Sequence, residues 1–207
     1  MIKPYQVTGE RQYLGLPLGF GFLGVSYLLT TCALLSDTFG FAQDLKWLQI
    51  LTQAYAFVFL AATYYFLKKP KRKTQLLWNI TYASLFFVIA FSYLIVIVPP
   101  AFILPSYQTA NDTLLVTNIV FLVYISVHTI RHQIANPNPK KIWLPFAYML
   151  LAFSQYSLLF WSLDQSFNAY IGSYVLRLAS LVIFVLVTYQ VFYVLHTRGV
   201  SDGKAST

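Results

Sequence analysis

Charge is scarce in this chain, and acidic charge scarcest of all: of 207 residues only 10% are charged, with six Asp or Glu against fourteen Lys or Arg. So few solvated side chains cannot cover a water-soluble domain of this length. Together with 58% hydrophobic residues and a mean hydropathy of +0.63, that excludes an ordinary soluble protein. The single cysteine, Cys32, excludes an internal disulfide and a thiolate-based metal cluster. Three histidines are one short of the four that two paired-histidine haems require. No lysine lies in the interior of a long apolar run, Lys46 standing at the very start of one, which excludes a retinal Schiff base. A glycine-rich phosphate loop, an intramembrane serine motif and a paired-aspartate motif are also missing, so neither an enzyme nor a resident cofactor is expected.

What the chain does have is long apolar runs. Six of them, near 14–35, 46–67, 75–98, 113–131, 142–162 and 170–195, reach the roughly 20 residues needed to cross hydrocarbon as a helix. A membrane β-barrel would show alternating segments of about ten residues instead. The expected fold is therefore all-α: a polytopic integral membrane protein, a bundle of six transmembrane helices forming a single membrane domain over 1–207. The first run follows a polar N-terminal segment and reads as a retained span. Residues 196–207, "HTRGVSDGKAST", read as a mobile cytoplasmic tail.

The basic residues segregate by side. With six spans both termini share one face, and that face receives Lys3, Arg11, Lys68, Lys69, Lys71, Arg72, Lys73, Arg131, Lys140, Lys141, Arg198 and Lys204. The opposite face receives Lys46 together with Asp37, Asp44, Asp112 and Asp164. Positive charge retained on the cytoplasmic side predicts cytoplasmic termini and a multi-pass protein of the cell membrane. The same distribution makes the net charge of +8 a topology signal, so no nucleic-acid partner is expected. The cluster Lys68, Lys69, Lys71, Arg72 and Lys73 reads as a juxtamembrane loop attracted to anionic lipid headgroups, at about 1 kcal/mol per cation.

Within the first run, Gly15, Gly19, Gly21 and Gly24 permit close approach of a second helix, with Gly15 and Gly19 in small-xxx-small spacing. The connection "PPAFILPSYQTAND" carries three prolines and reads as a non-helical segment lying back on the outer mouth.

Apart from Lys46 and Arg131 at run ends, Arg177 is the one charged side chain inside an apolar run, and none of the six runs contains Asp or Glu. It falls about seven residues past the expected start of the sixth run, roughly 10 Å below the outer rim, from where its stem reaches part of the way to the interface. An intramembrane charge is a functional-site hypothesis in its own right. Gln49 and Gln53 on the second run, Asn118 on the fourth and Gln155 on the fifth lie in the same outer half, and Gln49 and Gln53 share one helix face. Converging with Arg177 and Tyr174, they would form an outward-opening polar cavity in which a cation selects a carboxylate, phosphate or electron-rich ligand. Interhelical hydrogen bonding is the rival use of such amides.

His128 and His132 are four residues apart on one helix face, and His196 lies near the same cytoplasmic interface. A three-histidine metal site is geometrically possible there, but no glutamate or acidic cluster accompanies it, so metal binding is not expected. Function is accordingly expected to be non-enzymatic recognition of a small ligand or lipid, sensory or solute-capturing. The alternative is an accessory or structural subunit among other membrane proteins.

Overall fold

The computed structural model describes residues 15–35, 42–67, 71–97, 106–135, 137 and 142–204, with side chains described except at 34, 42, 67, 71–75, 97 and 191–204. The architecture is all-α. Six helices, α1 (Gly15–Leu35), α2 (Ala42–Leu67), α3 (Lys71–Ile97), α4 (Tyr107–Ala135), α5 (Trp143–Asp164) and α6 (Phe167–Lys204), are all long and apolar enough to cross a membrane, and no strand occurs among the described residues. In hydrocarbon a helix satisfies its own backbone, which is why uninterrupted apolar runs fold this way. The protein is thus a multi-pass membrane protein.

Several helix ends depart from the expected boundaries: α2 and α3 each begin four residues early, at Ala42 and Lys71, and α4 ends four residues late, at Ala135. α4 begins at Tyr107 and takes in Asn111 and Asp112, both expected in a loop. The Ser106 hydroxyl caps it by accepting from the Thr109 N–H at 3.2 Å. α5 ends on Gln165, left-handed at φ 50° and ψ 26°, whose N–H returns to the Trp161 carbonyl at 2.7 Å. Only Gln165 and Ser166 separate it from α6, which starts at Phe167, three residues earlier than expected. α6 then continues to Lys204, so residues 196–204 are helical, while 205–207 lie outside the described residues. The non-helical reading of 98–105 also falls outside them.

The chain divides into two compact units, 1–121 and 122–207. In the first, α1 packs on α2 and α2 on α3. Gly19 brings α1 onto Leu60, whose Cγ would lie 2.6 Å from an added Cβ. A Cβ at Gly15 would strike the hydroxyls of Thr63 and Tyr82 outright. Gly21 and Gly24 face open space. Close packing at the small-xxx-small pair is therefore specific to Gly15 and Gly19.

α2 and α3 are joined by a repeated hydroxyl relay. Tyr82 donates to Thr63 at 2.8 Å, and Thr63 donates to its own Phe59 carbonyl at 2.7 Å. Tyr93 meets Thr52 at 2.6 Å and Tyr55 meets Ser92 at 2.7 Å; Thr52 and Ser92 likewise bond their own i−4 carbonyls. Thr63 and Thr52 each have one proton and spend it on their own helix, which leaves the tyrosine as the donor across the gap, while the Tyr55 hydroxyl also reaches the Val88 carbonyl at 3.5 Å. Trp78 stacks on Tyr82 at 4.1 Å and Phe59 lies 5.3 Å from the same ring, completing an apolar cluster around the innermost relay.

The direction of the relay predicts an asymmetry. Thr63→Val strands the buried Tyr82 hydroxyl and is expected to cost about 1–3 kcal/mol, whereas Tyr82→Phe leaves Thr63 satisfied and costs about 0.5–1.5 kcal/mol. Equilibrium unfolding in mixed detergent micelles measures both; equal costs would show that the proton runs the other way.

Candidate functional site

Of the six residues expected to line one cavity, Gln49, Gln53 and Asn118 belong to the first unit and Gln155, Tyr174 and Arg177 to the second. In the first unit the Gln49 amide nitrogen donates to the Gln53 side-chain carbonyl at 3.1 Å, as i and i+4 amides on one face can. Ser26 of α1 donates to the Gln49 backbone carbonyl at 3.2 Å. Gln53 Nε2 and Asn118 Oδ1 are both buried without a hydrogen-bond partner among the described residues. Trp47 and Tyr107 stand edge-to-face at 5.6 Å near the starts of α2 and α4. Gln53 lies six residues beyond Trp47 and Asn118 eleven beyond Tyr107, which sets the two amides about 8 Å apart in depth.

The second unit holds the more concentrated arrangement. α5 and α6 form an antiparallel hairpin, pinned by Ser157, which donates to the Ala169 carbonyl at 2.7 Å, and Ser180, which donates to the Ala147 carbonyl at 2.7 Å. Pro145, Ala147, Tyr148, Leu151, Ser154 and Gln155 are buried on α5; Ser173, Arg177, Ser180, Phe184 and Val187 are buried on α6. The α6 set recurs every three or four residues, the spacing of one helix face, and Ser180 shows that this face meets α5.

Arg177 sits deeper than the sequence suggested. α6 begins at Phe167, so Arg177 lies ten residues, about 15 Å, beyond the start of its helix. That is farther than its stem extends, and the side chain is only 7% exposed. The guanidinium instead lies against the Tyr174 ring, 5.4 Å from its centroid, within cation–π range.

Gln155 and Arg177 are brought to one depth by side-chain direction. Helical side chains lean toward their own N-terminus, so in an antiparallel pair the side chains meet across an axial offset of their Cα atoms. Tyr148 and Phe184 show this offset, with ring centroids 4.9 Å apart. Gln155 lies seven residues after Tyr148, and Arg177 seven residues before Phe184. Seven residues are about two turns and return to nearly the same face, so Gln155 and Arg177 form the equivalent pair two turns closer to the hairpin link.

Gln155 has no exposed surface, yet neither its amide nitrogen nor its amide oxygen has a hydrogen-bond partner among the described residues. The hydroxyls nearby solve that problem locally. Ser154 donates to the Leu151 carbonyl at 2.9 Å and Ser173 to the Tyr170 carbonyl at 2.7 Å. A glutamine amide on a long stem does not fold back this way, and a buried amide left unmet is a standing cost that calls for a ligand or water. Chain comparison supplies no precedent for the arrangement. No known family, characterised protein or solved structure matches this chain.

The sequence reading did not single out Trp161 or Tyr170. Trp161 lies 5.0 Å from Tyr170; Tyr170 lies 4.9 Å from Tyr174, with the two hydroxyls 3.0 Å apart. Trp161, Tyr170 and Tyr174 thus make a continuous aromatic run from the hairpin link down to Arg177. The signal available was the Ser173, Arg177, Ser180 spacing, a polar stripe at helical period through an apolar run.

Among the remaining candidates, the His128 ring stacks beside Tyr124 at 6.3 Å and His132 is exposed, while the His196 side chain lies outside the described residues. No group of three or more His, Cys, Asp or Glu placed to hold a metal occurs among the described residues. Of the basic cluster, Lys68 and Lys69 lie outside the described residues, and Lys71, Arg72 and Lys73 form the first turn of the α3 backbone.

Proposed function

We propose that this protein is a recognition module of the cell membrane, without catalysis of its own, that admits a small polar ligand to the outer half of the α5–α6 hairpin. The observation that carries this reading is Gln155: fully buried, with both amide atoms unmet among the described residues, on a hairpin whose other helix buries Arg177. A ligand that offers hydrogen bonds there turns a folding cost into binding energy. The termini are cytoplasmic in this reading, on the strength of the Lys and Arg distribution, and anionic lipid contacts the Lys68 to Lys73 segment.

A second reading, accessory subunit of a larger membrane complex, draws on α3. Only 11% of its most hydropathic window is buried, and Leu76, Ile80, Phe87, Phe91 and Leu94 are exposed along it. Lipid or a neighbouring helix covers such a face equally well.

Purification in mild detergent followed by native mass spectrometry separates the two. Recognition predicts a small molecule retained by the wild type and lost on Arg177→Gln. Stoichiometric copurification with other membrane proteins, with no retained small molecule, supports the subunit reading instead.

A further inference from the structure

Resting on the recognition reading, we infer that the ligand is a small aromatic carboxylate carrying an uncharged hydrogen-bond donor beside the carboxylate, as an aromatic 2-hydroxy acid does. Three features of the hairpin specify three parts of such a molecule. The guanidinium of Arg177 presents a planar fork of donors that matches a carboxylate in geometry and sign, in a low-dielectric site where charge-assisted bonds are strongest. Gln155 asks for both halves of a hydrogen-bonding partner. Its Nε2 needs an acceptor, which the carboxylate provides, and its Oε1 needs a donor, which a plain carboxylate lacks. Because both amide atoms are unmet, the requirement holds whichever way the amide is flipped. The donor is neutral, since an ammonium group would be repelled by Arg177 at the same depth.

The third feature is the aromatic run. Tyr174 backs the guanidinium at 5.4 Å, and Tyr170 and Trp161 continue at 4.9 Å and 5.0 Å toward the hairpin link. Tyr174 and Trp161 are 36% and 38% exposed, so their rings have free area on which a flat apolar body can lie. A carboxylate seated between Gln155 and Arg177 thus leaves its ring beside this run. Entry from the hairpin-link end requires no charged group to cross the apolar half beyond Arg177.

Equilibrium dialysis of the full-length protein in lipid nanodiscs tests the inference with four probes: mandelate, benzoate, mandelamide and benzylammonium. Mandelate is expected to bind on the order of tenfold tighter than benzoate, which lacks the donor, and than mandelamide, which lacks the charge. Benzylammonium is expected not to bind. Arg177→Lys keeps the charge without the fork and should weaken mandelate while preserving its preference over mandelamide. Gln155→Leu should erase the preference of mandelate over benzoate. Equal affinity for mandelate and mandelamide overturns the assignment of an anion. If no probe binds while the wild type still retains a small molecule that Arg177→Gln loses, the ligand class is wrong and the recognition reading stands. If no probe binds and nothing is retained, buried water serves the Gln155 amide and both fall.

Discussion

Gln155→Leu is expected to stabilise the ligand-free protein by about 1–3 kcal/mol while weakening ligand retention, because the substitution removes an unmet buried amide and keeps a side chain of similar size. The residues around it are buried. Leu151, Ser154 and Ser173 are fully or almost fully buried, and Tyr148 has no exposed surface. A leucine at 155 makes the same contacts without a desolvation penalty. A residue kept for folding alone gives the opposite sign, since its removal leaves other polar groups stranded. Detergent-titrated unfolding, run with and without the copurified molecule, reads the sign directly: a loss of stability in the ligand-free state would show that Gln155 is a structural hydrogen-bonding residue and remove the main support for a site. Gain of stability coupled to loss of binding is the pattern of groups held in place for function.

Gly15→Val should have the largest destabilising effect in the first unit, about 3 kcal/mol or more. The added Cβ would occupy the position of the Thr63 and Tyr82 hydroxyls, so α1 must withdraw from α2 or the relay must break. Overpacking of this kind costs about 1–3 kcal/mol, and losing a buried hydrogen bond adds about 1 kcal/mol. Gly24→Ala provides the control of opposite sign. Nothing lies within 4 Å of its added Cβ, and alanine favours a helix over glycine by about 1 kcal/mol. Comparable losses at both positions would indicate a general need for glycine in α1 rather than a contact with Thr63 and Tyr82.

Hydropathy, run length and the placement of charge were enough to establish an all-α chain with six membrane-length helices, since a bilayer accepts no other use for six apolar runs of that size. They also singled out Arg177 and the amides, because polar groups in such runs are conspicuous. Helix ends were less legible. Ser106 opens α4 through a cap and Gln165 closes α5 through a left-handed turn, features that polarity alone marks as loop, and the earlier start of α6 places Arg177 ten residues into its helix rather than seven. The partners of each polar group lay beyond sequence altogether. Periodicity assigns a residue to a face of its own helix but contains no phase between two helices. Only packing reveals that the Tyr82 hydroxyl meets Thr63, that Ser180 reaches the Ala147 carbonyl, and that Tyr148 meets Phe184 across the hairpin.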